Sequence, residues 1–131
     1  MLAANRRFYE AFENRDMDAM SDLWERSPRC SCTHPGWATL RGWGPIAASF
    51  FALFRDGEVQ FLLTDERAEV VGDTAWVSVD ENLLGDQGGA TISALNIFIR
   101  AGDVARDHEH GDWRLVCHHG SIVNQAMNVS G

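Results

Sequence analysis

The sequence predicts an α+β domain in which three helices precede a strongly curved antiparallel sheet. Two observations lead to this prediction. Apolar residues recur at helical spacing in the first half of the chain, whereas the second half alternates apolar and polar residues in long runs separated by glycine-containing turns. The length of 131 residues suits one domain with a sizeable core, and no repeat, linker or low-complexity segment divides residues 1–131.

Three amphipathic helices are predicted, each with a recognisable start or stop signal. The first helix covers residues 2–14. Asp16 is a good N-cap for the second helix, and Pro28 ends that helix. Pro45 suits the first position of the third helix, which closes at Gly57.

One short strand, from Arg29 to His34, separates the second and third helices, and Pro35 follows it directly. The later strands are predicted in four segments, "EVQFLLTDERAEVV", "TAWVSVDENLL", "ATISALNIFIR" and "WRLVCHHGSIV". Because loops join these segments in sequence, they should form an antiparallel meander. Helices packed on one face of such a curved sheet leave a cone that opens at one end as a pocket.

The composition excludes several classes of partner. The chain carries a formal net charge of −8 and contains no lysine. Such a surface repels polyanions, so neither nucleic acid nor an anionic membrane is an expected partner. No apolar run approaches the roughly 20 residues of a membrane span, and the N-terminus has no apolar signal region, which predicts a soluble, cytoplasmic protein. Three cysteines, an odd number, suit reduced thiols better than disulfides.

A family resemblance rests on phrases that cover most of the chain: "NRRFYEAFENRDMDAMSDLW", "CTHPGWATLRGW", "TAWVSVDENLL", "ALNIFIR" and "WRLVCHHGS". In this order they resemble the nuclear transport factor two-like superfamily, and within it the SnoaL-like, ketosteroid-isomerase-like proteins of mostly unassigned function. The resemblance implies a conical, cystatin-like α+β roll with a deep apolar pocket, usually paired as a homodimer through the sheet. It does not fix an activity, because this fold hosts isomerases, cyclases, dehydratases, hydrolases and binding modules.

The resemblance places His34 where ketosteroid isomerases of this fold carry an aspartate base, at a strand end before a proline. A neutral imidazole can act as a base near pH 7, since its ordinary pKa is about 6.5. The alternative is a structural histidine bonded to the backbone of the following loop. The oxyanion hole is not matched, because its tyrosine position falls on Phe8, with Tyr9 about 100° further round the helix, and its aspartate position falls on or beside Ile97. Steroid isomerisation is therefore not the expected activity.

Two adjacent histidines, His118 and His119, lie on the last predicted strand. Neighbours on a strand point to opposite faces, so one of the two faces the pocket. His119 shares its alternation with Trp113 and Leu115, which favours His119 as the inward residue. The resemblance favours His118 instead, and the sequence leaves both assignments open.

Glu81 shares an apolar strand face with Val77 and Val79. A buried carboxylate needs a partner or a raised pKa. Pairing with His34 or with a last-strand histidine would create an acid–base unit, in which His119 is the third catalytic candidate. The alternative is a salt bridge at the sheet surface or at a dimer interface.

Five further residues are candidates for contacting a ligand, namely Tyr9, Trp24, Trp37, Asn96 and His118. The tryptophans could stack on a flat ligand or fill the core. Asn96 could orient a ligand through its amide or form a cross-strand bond.

No metal or cofactor is expected. A metal site built from His34, Glu81 and a last-strand histidine has no recognised ligand spacing. The segment "DHEHGD", residues 107–112, is predicted to be a solvated turn. No phosphate-binding loop, dinucleotide fingerprint or G-x-S-x-G motif occurs.

Three functional hypotheses follow from these observations. The first is a small-molecule-binding protein whose ligand is hydrophobic or aromatic. The second is a cofactor-free isomerase, dehydratase or cyclase that uses His34 as acid or base, assisted by Glu81 or a last-strand histidine. The third is a dimerisation or scaffold domain with a vestigial pocket.

Overall fold

Three helices and six strands follow one another in the computed structural model, which describes residues 1–84, 89–101 and 113–123. The helices are α1 (Leu2–Glu13), α2 (Met17–Leu23) and α3 (Trp43–Asp56). The strands are β1 (Ser31–Thr33), β2 (Leu40–Arg41), β3 (Gln60–Val71), β4 (Thr74–Leu84), β5 (Thr91–Arg100) and β6 (Trp113–Ile122). The predicted α+β class is confirmed.

The helices begin close to the predicted signals, but α2 ends at Leu23 and not at Pro28, because Trp24 already has an extended backbone. Asp16 caps α2, since its carboxylate accepts a hydrogen bond from the backbone N–H of Ala19 at 3.0 Å. Helix α3 starts at Trp43, earlier than predicted, and its N-cap Gly42 has a φ of 86° that a side chain would disfavour. Pro45 therefore lies within the first turn, where a missing N–H leaves no intrahelical bond unmade.

The sheet has the strand order β2-β1-β6-β5-β4-β3 and is not closed. Strands β3 to β6 form the predicted antiparallel meander. The short strand β1, whose pairing was not predicted, joins this sheet in parallel with β6 and pairs Cys32 with His118. Strand β2 was not predicted, and its pairing with β1 spans only Ser31–Arg41 and Cys32–Leu40. Such short strands carry too few residues for a recognisable alternation.

The core lies between the helices and the inward face of the sheet. Its largest fully buried apolar side chains are Phe8, Met20, Trp24, Ile46, Phe50, Val77, Phe98 and Leu115. The outward face of the sheet instead exposes the large apolar side chains Leu62, Val70, Trp76 and Leu95. The helix side of the sheet is therefore where a buried site can form.

Among the residues that the structure describes, no helix is long and apolar enough to cross a membrane. One sequence prediction, the solvated turn at residues 107–112, falls outside those residues.

Candidate functional site

A cavity of about 290 Å³ lies between the helices and the inward face of the sheet. Most of its wall is apolar, formed by Phe12, Pro35, Trp37, Leu53, Val59, Phe61, Leu83, Ala90, Ile92 and Ile122. Three ionisable side chains, His34, Glu81 and His118, complete the lining. We call this space the apolar cavity. An apolar wall with a few convergent polar groups is the usual composition of a small-molecule site.

A β-bulge decides which of the two adjacent histidines faces the cavity. In the pairing of β5 with β6, Ile97 opposes Cys117 but the next residue, Phe98, opposes Leu115, so Val116 is an extra residue. The extra residue reverses the alternation, and the inward side chains after it are those of the other parity. His118 is consequently buried whereas His119 is exposed. The alternation argument that favoured His119 as the inward residue is wrong.

Glu81 lies on the inward face of β4 and is 4 % exposed. Its Oε2 accepts a hydrogen bond from Tyr9 Oη at 2.5 Å. The sequence left open a histidine partner or a surface salt bridge for Glu81, whereas the partner in the structure is a tyrosine from α1. The resemblance aligned Phe8 with the catalytic tyrosine of ketosteroid isomerases. The hydroxyl that bonds Glu81 belongs to Tyr9, which is the next residue along α1.

Asn96 lies at the centre of a buried polar network and is fully buried. Its Nδ2 donates to Asn5 Oδ1 at 2.8 Å and to Tyr9 Oη at 3.2 Å. Its Oδ1 lies 2.5 Å from Nδ1 of His118. Asn5, which the sequence argument did not select, is also fully buried. An asparagine on the helix face that also carries Ala4 and Phe8 is the signal that could have identified it.

His34 bonds a helix side chain instead of the backbone of the following loop. Its Nε2 lies 2.9 Å from Oγ of Ser49 on α3, and that hydroxyl donates to the carbonyl of Ile46 at 2.6 Å. The loop is held through the backbone of His34, whose carbonyl accepts from the N–H of Trp37 at 2.8 Å. Both contacts fix the imidazole at the edge of the apolar cavity.

Burial controls the protonation of all three ionisable side chains. Loss of solvent raises the pKa of Glu81 to about 7, although the bond from Tyr9 acts in the opposite direction. Burial lowers the pKa of His34 to about 4 and, with smaller contributions from His34 and His119, lowers the pKa of His118 to about 3. At neutral pH both cavity histidines are uncharged, and Glu81 is close to its midpoint.

The two tryptophans expected to contact a ligand occupy different environments. Trp37 lines the apolar cavity, is 43 % exposed and meets the His34 ring edge-on at a centroid distance of 4.9 Å. Trp24 is fully buried between Trp43 and Phe50 and is not part of the cavity wall. Of the two alternatives that the sequence left open for Trp24, the structure shows the core position, next to an isolated β-bridge between Trp24 and Leu115.

A larger groove of about 420 Å³ lies elsewhere, between α1, α2 and Arg114. It is lined by charged and amide side chains such as Glu10, Asn14 and Asp22, and contains none of the candidate catalytic or ligand-binding residues. We place the candidate site in the apolar cavity, where the shifted pKa values are found. Among the described residues, no three His, Cys, Asp or Glu side chains are grouped so as to hold a metal ion.

Comparisons with known proteins cover nearly the whole chain. The model of the SnoaL-like domain family matches residues 1–125. A Streptomyces avermitilis structure, provisionally named a dehydratase of the NTF2-like family, is 35 % identical with a TM-score of 0.79, and the match covers 93 % of this chain and 92 % of that one. A Thiobacillus denitrificans structure, provisionally named a calcium/calmodulin-dependent protein kinase type II association domain, is 32 % identical with a TM-score of 0.80 and coverage of 93 % and 94 %.

One curated protein, the F-box protein SKIP8 of Arabidopsis thaliana, is 25 % identical over 124 residues. The match covers 94 % of this chain but only 49 % of that protein. The chain thus spans about half the length of this relative.

Proposed function

This chain belongs to the SnoaL-like domain family, and we propose that it binds a small, largely apolar molecule in the apolar cavity. The observation that carries the proposal is the convergence of His34, Glu81 and His118 on a wall that is otherwise apolar. Hydrophobic side chains supply most of the binding free energy in such sites, and a few polar groups fix the orientation of the ligand. The proposed ligand is hydrophobic or aromatic, with Trp37 as the aromatic contact.

Filling the cavity tests this proposal. Leu53→Trp adds an indole to the cavity wall, whereas Leu62→Trp makes the same change on the outward face of the sheet, where Leu62 is 56 % exposed. We expect titration calorimetry to show that the wild-type chain binds members of a panel of hydroxylated bicyclic aromatics. Leu53→Trp should weaken this binding about tenfold or more, while Leu62→Trp should leave it unchanged. Equal affinity in both variants, or no binding to the wild-type chain, would contradict the proposal.

A second candidate function is a cofactor-free isomerase, dehydratase or cyclase. Glu81 supports it, because a carboxyl with a pKa of about 7 can both take and give a proton at neutral pH. The 35 % identical structure named provisionally as a dehydratase points in the same direction. We assign the main proton transfer to Glu81 and a positioning role to His34, whose imidazole is held by Ser49 and has a pKa of about 4.

Steady-state kinetics would separate catalysis from binding alone. With a substrate that the chain turns over, Glu81→Gln should lower kcat about 100-fold or more, while ligand binding measured by calorimetry persists. Undiminished turnover by Glu81→Gln would exclude Glu81 as the acid–base group.

A third proposal concerns assembly. The outward sheet face exposes Leu62, Trp76 and Leu95, and one structural neighbour is provisionally named a kinase association domain. We propose that two copies pair through this face, which leaves the apolar cavity on the helix side accessible. Sedimentation of the wild-type chain and of a Leu95→Glu variant should give a dimer and a monomer, respectively. A monomeric wild-type chain would contradict this assembly.

A further inference from the structure

We propose that the apolar cavity recognises its ligand through a hydroxyl group of that ligand, because the buried network around Asn96 leaves His118 as a hydrogen-bond acceptor facing the cavity. The ligand class is therefore an apolar alcohol or phenol. This inference rests on the proposed binding function and specifies its ligand chemistry.

The first step is the orientation of the Asn96 amide. A carboxylate can only accept hydrogen bonds. Asn5 therefore turns its Nδ2 towards Oε2 of Glu66, 3.3 Å away, and presents its Oδ1 to Asn96. Asn96 must therefore donate from its Nδ2 to this oxygen, and the same Nδ2 also donates to Tyr9 Oη. Tyr9 can accept that bond because its own proton goes to Glu81. The Glu66 carboxylate thus fixes the direction of the bonds through Asn5 and Asn96, and Glu81, when ionised, fixes the direction of the bond from Tyr9.

The second step is the tautomer of His118. With its nitrogen committed to Asn5 and Tyr9, Asn96 presents its Oδ1 to Nδ1 of His118 at 2.5 Å. An amide oxygen only accepts, so Nδ1 carries the proton. Burial keeps the ring neutral, and Nε2 is then an unprotonated lone pair. Within residues 1–84, 89–101 and 113–123, no hydrogen bond involves Nε2 of His118, although the ring lines the cavity.

The third step is the matching polarity of His34. The hydroxyl of Ser49 donates its only proton to the carbonyl of Ile46, so its oxygen must accept a hydrogen bond from Nε2 of His34. The neutral ring consequently keeps its lone pair on Nδ1. The Sγ of Cys32 lies 3.9 Å from that nitrogen and 3.6 Å from Nε2. His34 and His118 therefore hold opposite tautomers but share one property, which is that each retains an unprotonated ring nitrogen.

The consequence is a cavity whose polar groups accept hydrogen bonds. Glu81, which is close to its midpoint at neutral pH, adds acceptor oxygens to the two histidine lone pairs when it is ionised. A ligand hydroxyl can donate to this set, whereas an ether or a ketone places its own lone pairs against it. Sites built around buried polar groups reject analogues that leave those groups unpaired more strongly than they reject changes in apolar size.

Imidazole nitrogen NMR tests the structural half of the inference. In histidine-labelled protein near neutral pH, we expect His118 to carry its proton on Nδ1 and His34 to carry its proton on Nε2, with exposed His119 as the reference ring. Asn96→Leu should release His118 from that tautomer, while Asn82→Leu, which removes an amide bonded to Leu62 and Thr64 outside the network, should not. A protonated Nε2 on His118 in the wild-type chain would overturn the inference without any variant.

A matched ligand pair tests the chemical half. β-Naphthol and its methyl ether share one aromatic surface and differ in the hydroxyl proton. We expect calorimetry to show β-naphthol binding about tenfold more tightly or better, and Asn96→Leu to reduce that preference. Equal binding of the pair would overturn the hydroxyl inference but leave the proposed function standing. If neither compound bound, the proposed function would fail and the inference with it.

Discussion

Glu81 and its neighbours show how single residues set the chemistry of the apolar cavity. Alternation along β4 placed Glu81 on the apolar face from sequence alone, together with Val77 and Val79. Its partner could not be inferred, because Tyr9 lies 72 positions away and belongs to another element. Local patterns identify which residues are buried, but they do not reveal which distant polar groups meet.

Tyr9→Phe should raise the pKa of Glu81 further. The tyrosine bond favours the charged carboxylate, and burial then acts without opposition once that bond is removed. Carbon-detected NMR of the Glu81 carboxyl in the two proteins measures the change. A pKa of Glu81 that stays constant or falls in Tyr9→Phe would contradict the role given to this bond.

Ser49→Ala should lower the free energy of unfolding by about 1–3 kcal/mol, because it leaves the buried Nε2 proton of His34 without an acceptor. Ser78→Ala, at an exposed position on β4, is the matched control and should change it by less than about 0.5 kcal/mol. Urea denaturation provides both numbers. Similar losses in the two variants would mean that the His34–Ser49 contact does not stabilise the fold.

Among the elements, β6 shows why periodicity alone misassigned an inward residue. The bulge at Val116 shifts the alternation midway along the strand, so Trp113 and His118 both point inward despite their opposite parity. Nothing in the sequence of β6 marks this bulge. The parallel pairing of β1 with β6 was equally hidden, since β1 contains only Ser31–Thr33.

The bulge predicts unequal effects of the two histidines on stability. His118→Ala removes a buried ring that packs on Phe8, with ring centroids 4.8 Å apart, and leaves Asn96 Oδ1 unpaired. We expect a loss of about 2 kcal/mol or more in the free energy of unfolding, against less than about 0.5 kcal/mol for His119→Ala. A larger loss in His119→Ala would show that the alternation of β6 is not interrupted.

For the molecule as a whole, the order of helices and strands was predictable because the main elements are long and periodic. The polarity of the site was not, because it depends on hydrogen bonds between α1, α3, β4, β5 and β6. His34 illustrates both points. The strand end at this residue was evident from Pro35, but the bond to Ser49 depends on how α3 packs against β1.

The pH dependence of stability is a property of the whole molecule. Below about pH 6.5 the unfolded chain protonates His34 and His118, whereas the folded chain holds their pKa values at about 4 and about 3. Glu81 acts in the opposite sense, because its folded pKa of about 7 exceeds its ordinary 4.5. Between about pH 6.5 and pH 4.5 the unfolded state binds one proton more, so the free energy of unfolding falls by about 1.4 kcal/mol for each unit of acidification.

Glu81→Gln removes the proton that the folded chain binds at Glu81 in this pH range. The unfolded state then binds two protons more than the folded state, and the slope should steepen to about 2.7 kcal/mol per pH unit. Urea denaturation of both proteins at several pH values gives the two slopes. Identical slopes would mean that Glu81 does not take up a proton on folding in this range.

The central claim is that the apolar cavity holds a hydroxylated ligand against His118, and one titration tests it most directly. β-Naphthol is added to the wild-type chain while the imidazole nitrogens of His118 and His119 are followed by NMR. The structure predicts that Nε2 of His118 shifts with saturation as it accepts the ligand proton, while the exposed His119 ring stays unchanged. A shift confined to His119, or an unperturbed His118 in protein saturated with ligand, would contradict the claim.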